Sequence, residues 1–410
     1  MRRGTGRWGH LPEHLCQPSP CPDLSPPCFS LLQVPVLWSR SRLLWGSRCC
    51  SQYQPGPTKL DFSGNCSRRD DCVQVLCEGL RQPRCQLETL RLGRFRLPAA
   101  CCGDLAAALS TSPSLTELDL SYNDDVGAGG VRVLCEGLRH PRCKVQTLRL
   151  GRCSLPAACC GDLAAALSTS PSLTELDLSD NRDLGAGGVR VLCEGLRHPR
   201  CKVQTLRLQC CHLPAACCGD LAAALSTSPS LTEMDLGGND DLGAGGVRVL
   251  CEGLRHPSCK VQTLRLWSCH LTDACCGDLA AALSTSPSLT ELHLGGNSAL
   301  GAGGVRVLCE GLRHPSCKVQ TLGFRRCRLT AACCGDLAAA LSTSPSLTEL
   351  DLSYNGDLGA GGVRVLCEGL RHPRCKVQTL RLGGCRLRCL LWGSCRCSQH
   401  QPQPDGAGPE

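Results

Sequence analysis

Five histidines invite a metal-site reading: His140, His198, His256, His314 and His372 each stand before a proline and three residues ahead of a cysteine. Imidazole and thiolate are good zinc donors, but a zinc site needs four ligands converging on one point, and here one pair recurs per segment. A histidine in the last turn of a helix complements the negative end of the helix dipole, and the proline after it stops the helix; the spacing predicts that role instead. Cys389, Cys395 and Cys397 form a C-x-C cluster without a second CxxC or a His-x-His partner, too few donors for a metal. Serine, histidine and aspartate recur as a set, whereas a nucleophilic triad is built once. The expectation is no catalytic residue, no metal, no cofactor and no enzymatic activity.

What positions these residues is a repeat. LTEL begins at Leu115, Leu173, Leu289 and Leu347, and LTEM at Leu231, which fixes a period of 58 residues. Between them VQTLRL begins at Val145, Val203, Val261 and Val377, VQTLGF at Val319 and LETLRL at Leu87, so each period holds repeats of 30 and 28 residues. Leu115-x-x-Leu118-x-Leu120-x-x-Asn123 and Val145-x-x-Leu148-x-Leu150-x-x-Cys153 both fit the leucine-rich pattern of a short strand entering a turn. Strand alternation turns Leu118 and Leu120 inward and leaves Glu117 and Asp119 outward. Val131, Leu134, Cys135 and Leu138 follow at helical spacing, an apolar stripe aimed at the sheet. Cys159, Leu163, Ala166 and Leu167 do the same in the alternate repeat, with Pro156 at the start and Pro171 just past the end.

No single repeat can bury its apolar side alone. The predicted fold class is therefore α/β, a leucine-rich-repeat horseshoe solenoid with its parallel sheet on the concave face and helices on the convex face. It should span residues 58-388 as about twelve repeats. Segment 1-57, rich in Pro, Ser, Cys and Arg without period, and tail 389-410 are expected to be disordered.

The segments GVRVLCEGLRHPRCKVQTLRL and AACCGDLAAALSTSPSLTELDLSYN, with Asn and Cys alternating at the turn, resemble the ribonuclease-inhibitor-like leucine-rich repeats of the NLRP family (NACHT, leucine-rich-repeat and PYD proteins). That resemblance implies a cytoplasmic, non-enzymatic protein-binding scaffold with a regulatory role in innate immune signalling. No GxxxxGK[ST] segment precedes the repeats and no death-fold domain is recognisable in 1-57, so ATPase activity and filament seeding are not carried over. Ribonuclease inhibitor, built of such repeats alone, suggests an enzyme inhibitor as the alternative, and a partial receptor copy without independent function is a third reading.

The chain has 38 cysteines and a formal net charge of +8. Most cysteines recur at repeat positions that are otherwise apolar, which reads as buried reduced thiols rather than a disulfide framework. The charge sits largely outside the array: residues 1-57 carry six arginines against Glu13 and Asp23, whereas 115-172 balances six acids with six bases. The best apolar run, around Ser30 to Gly46, is broken by Pro35, Arg40 and Arg42 and falls short of a membrane span.

At the third strand position Asp61, Asp119, Asp177, Asp235 and Asp351 alternate with Arg91, Arg149, Arg207, Arg265 and Arg381. An Asp/Arg ladder follows, a self-neutralising face unlike the single Lys/Arg stripe that tracks phosphates. The expected partner is a protein on the concave face; nucleic acid, membrane and small-molecule substrates are not expected. The ladder breaks once, where His293 replaces the acid and Gly323 the arginine. Trp267, the one Trp of the repeats, and Arg325-Arg326 lie on neighbouring strands. A solvent-facing Trp beside arginines is hot-spot composition, so Trp267, His293, Arg325 and Arg326 form the candidate interaction patch.

Overall fold

A computed structural model describes residues 57-65 and 70-385, all within one compact unit. The flanking segments 1-56 and 386-410, and with them Cys389, Cys395 and Cys397, lie outside the described residues. Twelve strands of three residues run through the described chain: β1 Lys59–Asp61, β2 Thr89–Arg91, β3 Glu117–Asp119, β4 Thr147–Arg149, β5 Glu175–Asp177, β6 Thr205–Arg207, β7 Glu233–Asp235, β8 Thr263–Arg265, β9 Glu291–His293, β10 Thr321–Gly323, β11 Glu349–Asp351 and β12 Thr379–Arg381. They pair strictly in sequence order, each neighbour parallel. A helix returns the chain between each strand and the next, which is what a parallel neighbour requires. The fold is the leucine-rich-repeat solenoid of horseshoe type, sheet on one face and helices on the other.

The core follows the predicted stripes. The central strand residues Leu118, Leu148 and Leu176 are fully buried, as are Val131 and Leu138 of helix Gly127–Leu138. In the alternate repeat Leu163, Ala166 and Leu167 of helix Cys160–Thr169 point inward, and Pro156 stands just ahead of the 3-10 turn Ala157–Cys159 that leads into that helix. Adjacent helices touch backbone to backbone: a Cβ at Gly137 would lie 2.7 Å from the Cα of Ala106, so only glycine permits the approach.

Stacking also has to satisfy the turns, because a buried unpaired peptide group is costly. Asn181 solves this for its layer. Its Oδ1 accepts the N–H groups of Cys153 and Leu155, both at 3.0 Å, while Nδ2 donates to the carbonyls of Leu150 and Leu178 at 2.9 and 2.8 Å. In the alternate repeat the thiol of Cys153 donates to the Leu120 carbonyl at 3.2 Å, a smaller group for a turn with less to satisfy. Desolvation pushes the Cys153 and Cys160 thiols up to about 12. The described cysteines form no disulfide with one another. These cysteines act as small apolar fillers with one weak donor.

Candidate protein-binding face

The first and third residues of each strand face outward, and the register sets Arg149 directly between Asp119 and Asp177. The guanidinium nevertheless bypasses both aspartates. Arg149 bonds Glu117 on one side and Glu175, at 3.2 Å, on the other. Arg207 likewise bridges Glu175 and Glu233, and Arg381 reaches Glu349 at 2.8 Å. The aspartates turn along their own strand instead: Asp119 Oδ1 accepts the N–H of Ser121 at 2.9 Å, and Asp177 and Asp351 do the same for Ser179 and Ser353. The short aspartate closes a local turn that the longer glutamate cannot, which leaves the arginine to glutamate. The expected Asp/Arg ladder is thus an Arg/Glu ladder.

Counting both outward strand positions, and not the third alone, changes the charge balance of the face. Strands β3, β5 and β11 each present two carboxylates and β7 presents Glu233, its Asp235 being buried, while the even strands carry Thr and, except in β10, one Arg. The outward face carries an excess of acid and does not neutralise itself. Partial burial would raise the Glu117 carboxyl, but the hydrogen bonds and charges of Arg149 and Arg91 outweigh it and hold it below the usual range. The ladder side chains remain partly exposed, so each pair contributes about 0-1 kcal/mol.

The ladder is interrupted at β9 and β10. Gly323 makes room for its neighbour's imidazole, since a Cβ there would sit 3.1 Å from His293 Nδ1. His293 Nε2 is buried without a hydrogen-bond partner, 3.6 Å from Glu291. Trp267 is half-buried rather than solvent-facing: its indole lies flat over Gly237, where a Cβ would come within 2.1 Å of the ring. The corresponding turns carry Ser121, Ser179 and Ser353, so the glycine at 237 is what admits the indole. Beneath this corner Asp235 is 2 % exposed, holding the amide of Gln209 at 2.6 Å and the N–H of Gly237 at 3.0 Å. Burial raises its carboxyl despite those two bonds and the nearby Arg265 and Arg207.

Arg325 and Arg326 lean the other way. Their guanidiniums flank the exposed ring of Tyr354, 4.6 and 5.0 Å from its centre. Of the four expected patch residues His293 ends β9, while Trp267 and the two arginines lie in the turns after β8 and β10; Trp267 packs toward β7 and the arginines toward β11. Sequence reasoning missed Gln209, Gly237 and Tyr354, and placed Asp235 in the exposed ladder, not in this buried corner. A signal existed in the exchange of Ser for Gly at 237 and of Asp or Gly for Tyr at 354. The same Tyr clamp recurs at Tyr122, with Arg94 and Arg152 at 4.5 and 5.4 Å.

The histidine row takes a more local part than the helix-dipole role expected. His140 Nδ1 accepts the N–H of Arg142 at 3.2 Å, closing the turn after the helix, and His198, His256, His314 and His372 repeat this. Among the described residues no group of three or more His, Cys, Asp or Glu side chains is arranged to hold a metal ion.

Comparison with known proteins agrees with this architecture. The family described as Leucine Rich repeat matches residues 111-135, 169-193, 227-251, 285-309 and 343-367. Human NACHT, LRR and PYD domains-containing protein 12 is 48% identical over 314 residues, 76% of this chain and 29% of that protein. Human NACHT, LRR and PYD domains-containing protein 3 is 49% identical over 286 residues, 70% of this chain and 27% of that protein. Pig ribonuclease inhibitor is 42% identical over 318 residues, 78% of this chain and 69% of that protein. The chain thus spans under a third of the two NACHT-domain relatives but over two thirds of the inhibitor. The chain belongs to the family of ribonuclease-inhibitor-like leucine-rich repeats shared by ribonuclease inhibitor and the repeat regions of the NACHT, LRR and PYD domains-containing proteins.

Proposed function

We propose that residues 58-388 are a non-enzymatic scaffold that binds a protein on the outward face of the sheet, regulatory in innate immune signalling and working in the reducing cytoplasm. The observation that carries this reading is the composition of that face: two carboxylates on each of β3, β5 and β11 against one guanidinium on each even strand but β10, interrupted where His293 and Gly323 meet. An acidic surface of this kind complements a basic partner and steers its approach. Trp267, His293, Arg325 and Arg326 supply the off-pattern contacts, with Tyr354 added between the arginines. Affinity capture under reducing conditions, wild type beside Trp267→Ala and Arg326→Ala, tests the patch. Truncating a hot-spot side chain costs at least about 2 kcal/mol, roughly thirtyfold in affinity. Equal affinity of all three proteins for every captured partner removes the patch.

The acid excess also favours a second reading, an inhibitor of a basic enzyme in the manner of the ribonuclease inhibitor that this chain resembles. Titration of a basic ribonuclease with the full chain decides between them: undiminished nuclease activity at stoichiometric excess rejects inhibition and leaves the scaffold reading standing.

A further inference from the structure

The connections that lead from each helix of 12 or 13 residues into the next strand carry Arg139, Arg142 and Lys144 in the first such unit, all exposed. Their counterparts recur every 58 residues through residue 376, with serine replacing the middle arginine at Ser258 and Ser316. None of the connections 139-146, 197-204, 255-262, 313-320 and 371-378 contains an acidic residue. The intervening loops, such as Ser112–Thr116, are uncharged. Because the strands pair residue for residue without stagger, these loops emerge at one level along the sheet, about 10 Å apart on alternate strands. Together they line one rim of the solenoid with cations.

The opposite rim, where strands enter helices, holds the exposed pairs Asp124–Asp125 and Asp240–Asp241 and the exposed Asp183 against the exposed Arg152 and Arg182, an excess of acid. Through the middle of the array the charge is therefore polarised along the strand direction. We propose that the cationic rim docks on an anionic lipid bilayer as a peripheral contact, leaving the sheet face free for its protein partner.

Three observations select a bilayer. Loops emerging at one level on successive strands form one extended row; a lipid surface, whose headgroups diffuse to meet the cations, engages all of them whatever the path of the row, whereas a straight duplex engages only those its axis follows. No large exposed hydrophobic side chain lies in these connections, the described ones being Val75, Tyr122 and Tyr354, so the rim has no desolvated anchor of the kind a protein interface needs. Binding by charge alone is the mode of polybasic segments on phosphatidylserine-rich leaflets. No helix of the described residues is long and apolar enough to cross a membrane, so the contact is adsorption and not insertion.

Sedimentation of the full chain under reducing conditions with vesicles of phosphatidylcholine, alone or mixed 7:3 with phosphatidylserine, tests the proposal. The expected result is binding to the mixed vesicles only, weakened by raising salt from roughly 50 to 300 mM. Each rim cation near the surface contributes about fivefold, so Arg142→Gln/Arg200→Gln/Arg374→Gln should lower partitioning about 100-fold. Arg132→Gln/Arg190→Gln/Arg364→Gln, an equal charge loss on the exposed helix surface, should keep it within about threefold of wild type. Circular dichroism melts of both variants should match wild type, since none of the six arginines is buried. Equal partitioning of the two variants overturns the proposal, and this outcome also covers binding through the arginines of residues 1-57, which both retain. Equal binding to pure phosphatidylcholine overturns it, as does rim-dependent binding of a DNA duplex without vesicle binding.

Discussion

Replacing Asn181 by alanine tests whether buried polar ladders, more than surface ion pairs, hold the array together. The amide is fully buried and makes its four bonds at 2.8 to 3.0 Å, two accepted from peptide N–H groups and two donated to carbonyls of successive layers. Alanine leaves the Cys153 and Leu155 N–H groups and the Leu150 carbonyl without a side-chain partner and the Leu178 carbonyl with the Cys211 thiol alone, each lost bond costing about 1-3 kcal/mol before relaxation. Relaxation and bifurcation recover part of this, and a net loss of about 4 kcal/mol is the working value. Asn181→Asp separates hydrogen bonding from volume, because it keeps the acceptor for Cys153 and Leu155 but turns an oxygen toward the carbonyls of Leu150 and Leu178. It should destabilise at least as much as alanine. Arg149→Gln, which removes a partly exposed ladder residue, should cost under about 1 kcal/mol. Urea unfolding followed by circular dichroism under reducing conditions measures all three. The Asn variants should also broaden the transition, since a weakened layer in mid-array uncouples the two halves. If both Asn181 variants unfold within 1 kcal/mol of wild type, the accounting of buried peptide groups is wrong.

Gly195→Ala should destabilise by at least about 2 kcal/mol, because its Cβ would lie 2.7 Å from the Ala164 Cα, whereas Gly187→Ala meets nothing within 4 Å and should stabilise by about 0.5-1 kcal/mol; the same urea titration reads both. Gly237→Ser should be destabilising beside Trp267 and nearly neutral in a Trp267→Gly background, so a double-mutant cycle should return a coupling energy of about 1-2 kcal/mol, and additivity would contradict the packed indole. The Cys153, Cys160 and Cys218 thiols ionise at about 12 when folded, against an ordinary value of 9.0. Below pH 9 both states keep these protons; above it only the unfolded chain releases them, so stability should fall between pH 9 and 12 by about 1.4 kcal/mol per pH unit for each thiol. Urea midpoints that stay level from pH 8 to 10.5 under reducing conditions would contradict their burial.

The strands, helices and core were legible because they depend on period alone: Leu118, Leu148 and the stripe from Val131 to Leu138 are fixed by spacings of two and of three or four. The break at His293 and Gly323 was legible for the same reason, as a departure from a repeat. Side-chain direction was not. Asp119 and Glu117 both point outward in a strand pattern, and nothing in their spacing tells that the aspartate turns back to the Ser121 N–H while the glutamate takes the arginines. Likewise Trp267 reads as exposed from its strand position, and only the packing against Gly237 reveals a half-buried indole. His140 reads as a dipole complement from its place at a helix end, yet its ring nitrogen closes a turn two residues on.

Charge is the clearest case of information that stacking creates. The unit 115-172 has six acids and six bases, and by sequence sums it is neutral. In-register stacking then adds like positions to like. Glu117 and Asp119 outnumber Arg149 on the sheet face; Asp124 and Asp125 outnumber Arg152 on one rim; Arg139, Arg142 and Lys144 stand without an acid on the other; and Glu136 and Asp162 outnumber Arg132 on the helices. A neutral unit thus yields three acidic surfaces and one strongly basic rim, each extended by every further unit of the same composition, as 173-230 is and 289-346, with Ser298, Ala299, Arg325, Arg326 and Arg328, is not. Inserting or deleting a whole unit should leave the net charge of the array nearly unchanged while lengthening or shortening the cationic rim by one cluster. Vesicle binding should then scale with the number of units although total charge does not, a dependence that binding governed by net charge cannot produce.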